Sequence, residues 1–263
     1  MIPLLVTLAY AEPGVALVGD NPAGLTTHAL IAGGGFLYMA GIELGSSALG
    51  PGACGWCAPG SFDRQVRDDW RWAAPETADV SSSIGMLAIS GAAVVGAFAH
   101  GGPREQGLAD AVYVVEALAL TGVVNETVKL ASARRRPYAW ALDEAGAPPT
   151  DDPDANRSFY SQHTSLAFAA VASAGTLAAL RKDRAAPWIW GVGIPLAAGV
   201  GYLRVAADAH WLSDVAAAAV MGTASGVLVP VLLHPRVTPD GHATWEIQVV
   251  PGTTPTIVAS GTF

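Results

Sequence analysis

The chain has 263 residues, of which 51% belong to the hydrophobic set and only 14% are charged, against about 25% charged in an ordinary soluble domain. A net charge of −8 and a pI near 5.1 exclude the basic footprint that nucleic-acid binding requires. A sequence this apolar either buries nearly all of itself or spends part of its surface in lipid, and no stretch is polar enough to be a long linker.

The N-terminal run Met1 to Ala11 ends in Ala9-x-Ala11 and reads as a weak export signal, short and without a basic start. Six apolar segments follow: His28 to Leu49, Ile84 to Ala99, Leu108 to Leu130, Thr164 to Leu180, Pro187 to Leu203 and Trp211 to Leu233. Several run about 17 residues or more without a charge, the lower limit for crossing a bilayer as a helix. Their alanine and glycine content suits close helix packing in a membrane. The expected fold class is therefore all-α, a six-helix bundle that spans a membrane. One helical domain is expected over 28–233, preceded by an N-terminal segment, 1–27, and followed by a tail, 234–263. Glu43, Glu116 and Asp214 fall inside apolar segments, where a carboxylate should face the bundle or a site rather than lipid.

Between the first two segments lie Cys54 and Cys57, in Cys-Gly-Trp-Cys. No second pair completes a zinc site and no βαβ context marks a thioredoxin-like dithiol, so the pair reads as a local disulfide or two inert thiols. The charged, aromatic stretch Asp63 to Trp72 suits an interfacial helix. Another long connection, Ala131 to Gln162, carries an Arg triplet and the acidic patch Asp151, Asp152 and Asp154. In the tail, Trp245 to Val250 and Thr256 to Ala259 are β-type runs split by Pro-Gly-Thr-Thr-Pro, which predicts a hairpin. The distribution of Lys and Arg does not settle the topology, although the Arg181-Lys-Asp-Arg184 turn has a cytoplasmic look.

Three polar clusters interrupt the apolar pattern, each at a segment end. Lys129 is followed after six residues by Arg136-Pro137; Ser158-Phe-Tyr-Ser161-Gln162-His163 opens the fourth segment; Arg204, five residues, His210, three residues, Asp214 joins the fifth to the sixth. If the segments alternate in direction, all three clusters reach one face. Two guanidiniums and an ammonium suit a phosphate-like oxyanion, and the start of the fourth helix adds backbone donors. His210 and Asp214 are four apart and share a helix face, so the carboxylate can hold one imidazole nitrogen and leave the other free to attack. His163 is then available as the second proton carrier.

These residues resemble the type 2 phosphatidic acid phosphatase superfamily, which shares its fold with vanadium haloperoxidases and class A acid phosphatases. The family pattern is Lys-x6-Arg-Pro, then Pro-Ser-Gly-His, then Ser-Arg-x5-His-x3-Asp, and the spacings are intact from Lys129 to Asp214. Three positions depart from it: Tyr160 for Pro, Gln162 for Gly and Leu203 for Ser. The resemblance implies that Lys129, Arg136 and Arg204 hold phosphate oxygens, with Ser161 and the backbone at Gln162 donating to them. It implies that His163 is the general acid and base, that His210 forms a phosphohistidine and that Asp214 orients it. No metal or cofactor is implied, and vanadate should inhibit as a phosphate analogue. Together with the apolar composition, this gives an expected phosphatase for a lipid phosphate monoester or pyrophosphate. Its partners would be its lipid substrate and the surrounding membrane lipid, in a bacterial-type inner membrane with the site facing the periplasm. The alternatives are a soluble secreted or periplasmic acid phosphatase of the same fold, a vanadium haloperoxidase, or a degenerate relative that binds phosphate without turnover. A β-carbon at Gln162 is expected to hinder the backbone donor or to demand a disfavoured φ.

Overall fold

The computed structural model describes residues 16–100 and 103–237, together with two strands in the tail, 245–250 and 256–261. The Ala9-x-Ala11 signal lies outside the described residues.

The helices, in chain order, are α1 (Pro22–Leu44), α2 (Ser46–Leu49), α3 (Ser61–Trp70), α4 (Pro75–His100), α5 (Arg104–Ser132), α6 (Pro137–Glu144), α7 (Gln162–Leu180), α8 (Ala186–Ala206) and α9 (Leu212–Leu233). Six of them, α1, α4, α5, α7, α8 and α9, are long and apolar enough to cross a membrane. They correspond to the six apolar segments. The first begins at Pro22 rather than His28, because the Asn21 side chain caps the helix by accepting from Gly24 N at 2.8 Å and Pro22 is preset for the first turn. The second begins at Pro75 rather than Ile84, because its first turns carry Asp79, Ser82 and Ser83, polar groups that find partners on α7 and α8.

α7 is the central helix and packs on α4, α5, α8 and α9. Tyr113, Val114 and Leu118 of α5 meet Ala169, Ala170 and Leu177 of α7 in the main apolar core. α9 approaches α7 almost backbone to backbone: a β-carbon at Gly222 would stand 2.2 Å from the Ser165 carbonyl oxygen, and one at Gly226 2.6 Å from that of Ala169. Small residues four apart permit this contact, which seats the start of α9 beside the start of α7. By contrast α1 and α4 expose Leu30, Leu37, Ile84, Leu87 and Val95. Apolar surface on this scale belongs in lipid rather than water, so the chain reads as an integral membrane protein.

α3 lies across one end of the bundle, contacting α8 and α9. It is amphipathic, burying Asp63 and Val66 while Phe62, Asp68 and Trp70 stay exposed. Cys54 and Cys57 form a disulfide. In the tail, β1 (Trp245–Val250) pairs antiparallel with β2 (Thr256–Gly261), with Trp245 opposite Gly261 and Val250 opposite Thr256. The hairpin predicted from the two β-type runs is present, its second strand running two residues past Ala259.

Candidate active site

The end of α5, the start of α7, the end of α8 and the start of α9 come together at the end of the bundle covered by α3. Antiparallel helices joined by short turns put every second end on the same face, so clusters distant in sequence become neighbours. Lys129, Arg136, Gln162, His163, Arg204 and His210 all line one cavity of about 900 Å³. A second, apolar cleft of about 490 Å³ lies among α4, α7 and α8, lined by alanines, Val192 and Leu196. It contains none of the motif residues.

Each cation of the cluster is held by a carboxylate. The Lys129 ammonium donates to Glu126 at 2.9 Å and lies 3.5 Å from the Gln162 amide oxygen. Arg136 donates to the backbone oxygen and the carboxylate of Asp154, at 2.9 and 3.1 Å. Arg204 is paired with Asp79 and donates to Ser82 Oγ at 2.9 Å. Its Nε is buried without a hydrogen-bond partner among the described residues, a donor left over for an oxyanion. Arg157 joins the network through Glu126, Asp154 and Glu43.

His210 is buried. Its Nδ1 lies 2.8 Å from the Ser158 carbonyl oxygen, which can only accept, so Nδ1 carries the hydrogen and Nε2 keeps its lone pair. Asp214 does not make this contact: its nearer oxygen is 3.7 Å from Nδ1. The geometry differs from the direct His–Asp hydrogen bond expected from the i, i+4 spacing, because the Asp214 carboxylate is saturated elsewhere. It accepts from Ser158 Oγ at 2.5 Å, from the Trp211 amide at 2.9 Å and from Arg134. Asp214 therefore fixes Ser158, and the Ser158 carbonyl fixes the imidazole. Burial holds His210 well below its usual pKa, and the charges of Arg136, Arg204 and Lys129 act in the same direction. The ring is neutral at pH 7.

His163 points Nε2 at Ser83 Oγ, 3.1 Å away. Ser161 is buried and caps α7, accepting from Thr164; it is not among the residues that line the cavity. Gln162 takes the place of the family's glycine at the first residue of α7. Its φ is not positive, so the strain expected of a β-carbon there does not arise: a helix start needs only an ordinary helical φ.

Several residues of the site carried no legible signal. Arg134 was one of three consecutive arginines, yet it is fully buried and bridges Asp214 to Asp63, with Ser213 as a further acceptor at 2.8 Å. Trp56, inside the disulfide loop, stacks on its guanidinium at 3.7 Å. Asp79 and Ser83 come from α4, far from every motif. Glu126 was detectable, since it stands one turn before Lys129.

Residues 110–237 match the family model described as the PAP2 superfamily. No curated protein matches the chain. Among solved structures it is similar to the transmembrane PAP2-type phosphatidylglycerolphosphate phosphatase from Bacillus subtilis. That likeness has a TM-score of 0.47 and 16% identity, covering 80% of this chain and 94% of the other. The family match covers residues 110–237, which carry all three motif clusters, and supports a phosphatase-type hydrolase at the level of the family.

Proposed function

We propose that the protein is an integral-membrane phosphatase that hydrolyses a lipid phosphate monoester or pyrophosphate by double displacement through His210. The observation that carries this reading is a buried, neutral imidazole whose protonated nitrogen is anchored on a carbonyl, facing a cavity with three cations.

Lys129, Arg136 and Arg204 would take the phosphate oxygens, with the backbone N–H groups at the start of α7 beside them. His210 Nε2 would attack phosphorus while the bond to the leaving oxygen breaks and His163 gives that oxygen its proton. Water would then attack the phosphohistidine, yielding its proton to His163 and releasing phosphate. No step calls for a metal. The positive cluster is most effective as charge builds on the equatorial oxygens.

A lipid substrate is supported by the cavity walls. One side is formed by Phe36, Met39 and Ala40 of α1 and by Val80 and Met86 of α4, the two helices with the most exposed apolar faces. A head group can reach the cations from between them while its acyl chains stay in the bilayer. The site is proposed to face the periplasm or exterior. The Cys54–Cys57 disulfide lies on that side, and disulfides persist in oxidising compartments; Arg181, Lys182 and Arg184 lie at the opposite, cytoplasmic end.

The test is phosphate release from a panel of lipid phosphates in detergent: phosphatidic acid, phosphatidylglycerol phosphate, a prenyl pyrophosphate and lipid A phosphate. Turnover should be blocked by vanadate and lost in His210→Ala. Release unchanged in that variant would overturn the mechanism, and binding without release would favour a non-catalytic relative.

A further inference from the structure

At the other end of the bundle, three residues from distant parts of the chain meet: His28 of α1, Glu116 of α5 and His234, the residue after α9. Glu116 and His234 are fully buried, and His28 is half-buried. His28 Nδ1 is 2.9 Å from one Glu116 oxygen and His234 Nε2 is 2.9 Å from the other. The ligand-type atoms of all three lie within 4.8 Å of one another. Glu116 sits inside a membrane-spanning helix, where an ionised carboxylate needs compensation, and none of these residues serves the phosphate cavity.

Hydrogen bookkeeping points to a cation at this place. His234 Nδ1 lies 3.2 Å from the Val18 carbonyl oxygen, so that nitrogen carries the hydrogen. A neutral ring then turns the Nε2 lone pair towards a carboxylate oxygen at 2.9 Å. Two acceptors hold that distance only with a positive charge between them, a proton or a metal ion. The backbone carbonyl on the far nitrogen is the arrangement that commonly fixes the tautomer of a metal-ligating histidine. Tyr113 stacks on the His234 ring at 3.5 Å and 17°, and the His28 ring meets it edge-on at 4.4 Å, so both imidazoles are held in orientation before any ligand arrives.

We propose that His28, Glu116 and His234 form a site for a divalent ion of the zinc class, which ties α1 and the end of α9 to α5. Two imidazoles and one carboxylate are the donors that zinc takes, whereas calcium and magnesium take oxygens. Ligands at zinc distances stand about 3.3 Å apart in a tetrahedron, so the two 2.9 Å contacts to Glu116 need only a small opening, and the two imidazole nitrogens already lie within 4.8 Å of each other. The site lies at the face opposite the cavity and takes no part in phosphate chemistry.

The test uses the full chain in detergent after removal of any histidine tag. Metal analysis after equilibration with zinc and gel filtration should give one equivalent per chain, and cobalt should bind with a visible d–d spectrum. His234→Ala and Glu116→Gln should lose that equivalent, and His210→Ala should keep it. Zinc should raise the apparent Tm of the parent protein and leave that of Glu116→Gln unchanged. Folded parent protein, judged by retained vanadate binding, that takes up no zinc or cobalt would overturn the proposal without recourse to any variant. Variants that bind as the parent does would overturn it too. In either case a shared proton, and not a metal, joins His234 to Glu116.

Discussion

At the level of single residues, the site depends on side chains whose roles differ from what their spacing suggests. Arg134 neutralises both Asp63 and Asp214 in a buried setting. Removing one partner of a buried pair leaves an uncompensated charge, at a cost of roughly 3–5 kcal/mol. Arg134→Ala should therefore lower the apparent Tm in detergent and reduce kcat, because Asp214 and Ser158 lose their fixed positions. Asp79 is paired with Arg204, and on the proposed function it would compete with phosphate for that guanidinium. In Asp79→Asn that competition is gone, and vanadate should inhibit about tenfold more tightly, a gain of about 1.4 kcal/mol. His210 gives a pH signature. Its folded pKa lies below the unfolded value, so the unfolded chain binds the proton more readily. Stability is complete above the unfolded pKa of about 6.5 and falls as the pH drops below it. A plot of Tm between pH 7 and pH 5 should slope downward to acid for the parent protein, and His210→Gln should make that slope shallower.

At the level of elements, the contact between α7 and α9 sets the relative position of His163 and His210, the two histidines proposed to be catalytic. Gly222 has no room for a side chain against the Ser165 carbonyl. Gly222→Val should force the two helices apart, with loss of turnover and a lower Tm; unchanged kcat would show that the starts of α7 and α9 are held some other way. The loop before α3 acts on the same region from outside. Gly55 N donates to the Ala133 carbonyl at 2.9 Å and Arg135 N to that of Trp56 at 3.0 Å, so the disulfide loop is stitched to the strand-like stretch that carries Arg134. A disulfide closing so short a loop contributes at most about 2 kcal/mol. Reduction should lower the Tm by a few degrees and kcat by a modest factor, measured against a Cys54→Ser, Cys57→Ser double variant that no longer responds.

At the level of the whole molecule, the apolar composition, the six long apolar helices, the helical stretch at α3 and the terminal hairpin were legible in the sequence, because each depends on local periodicity and on the length of an apolar run. The three motif clusters were legible too, since residues at a fixed spacing within one element keep a fixed spatial relation. Partners drawn from other elements were not. Asp79 and Ser83 on α4, Asp63 on α3 and Trp56 in the disulfide loop reach the site only through the packing of helices. The same holds for the change of roles at His210, where a carbonyl 52 positions away took the contact assigned to the carboxylate four positions away. Sequence alone determined which polar groups this protein gathers at one end of its bundle, the groups proposed to take an anion. Tertiary structure decided which of them touch, because a buried carboxylate satisfies itself with the nearest donors in space, whatever their distance along the chain.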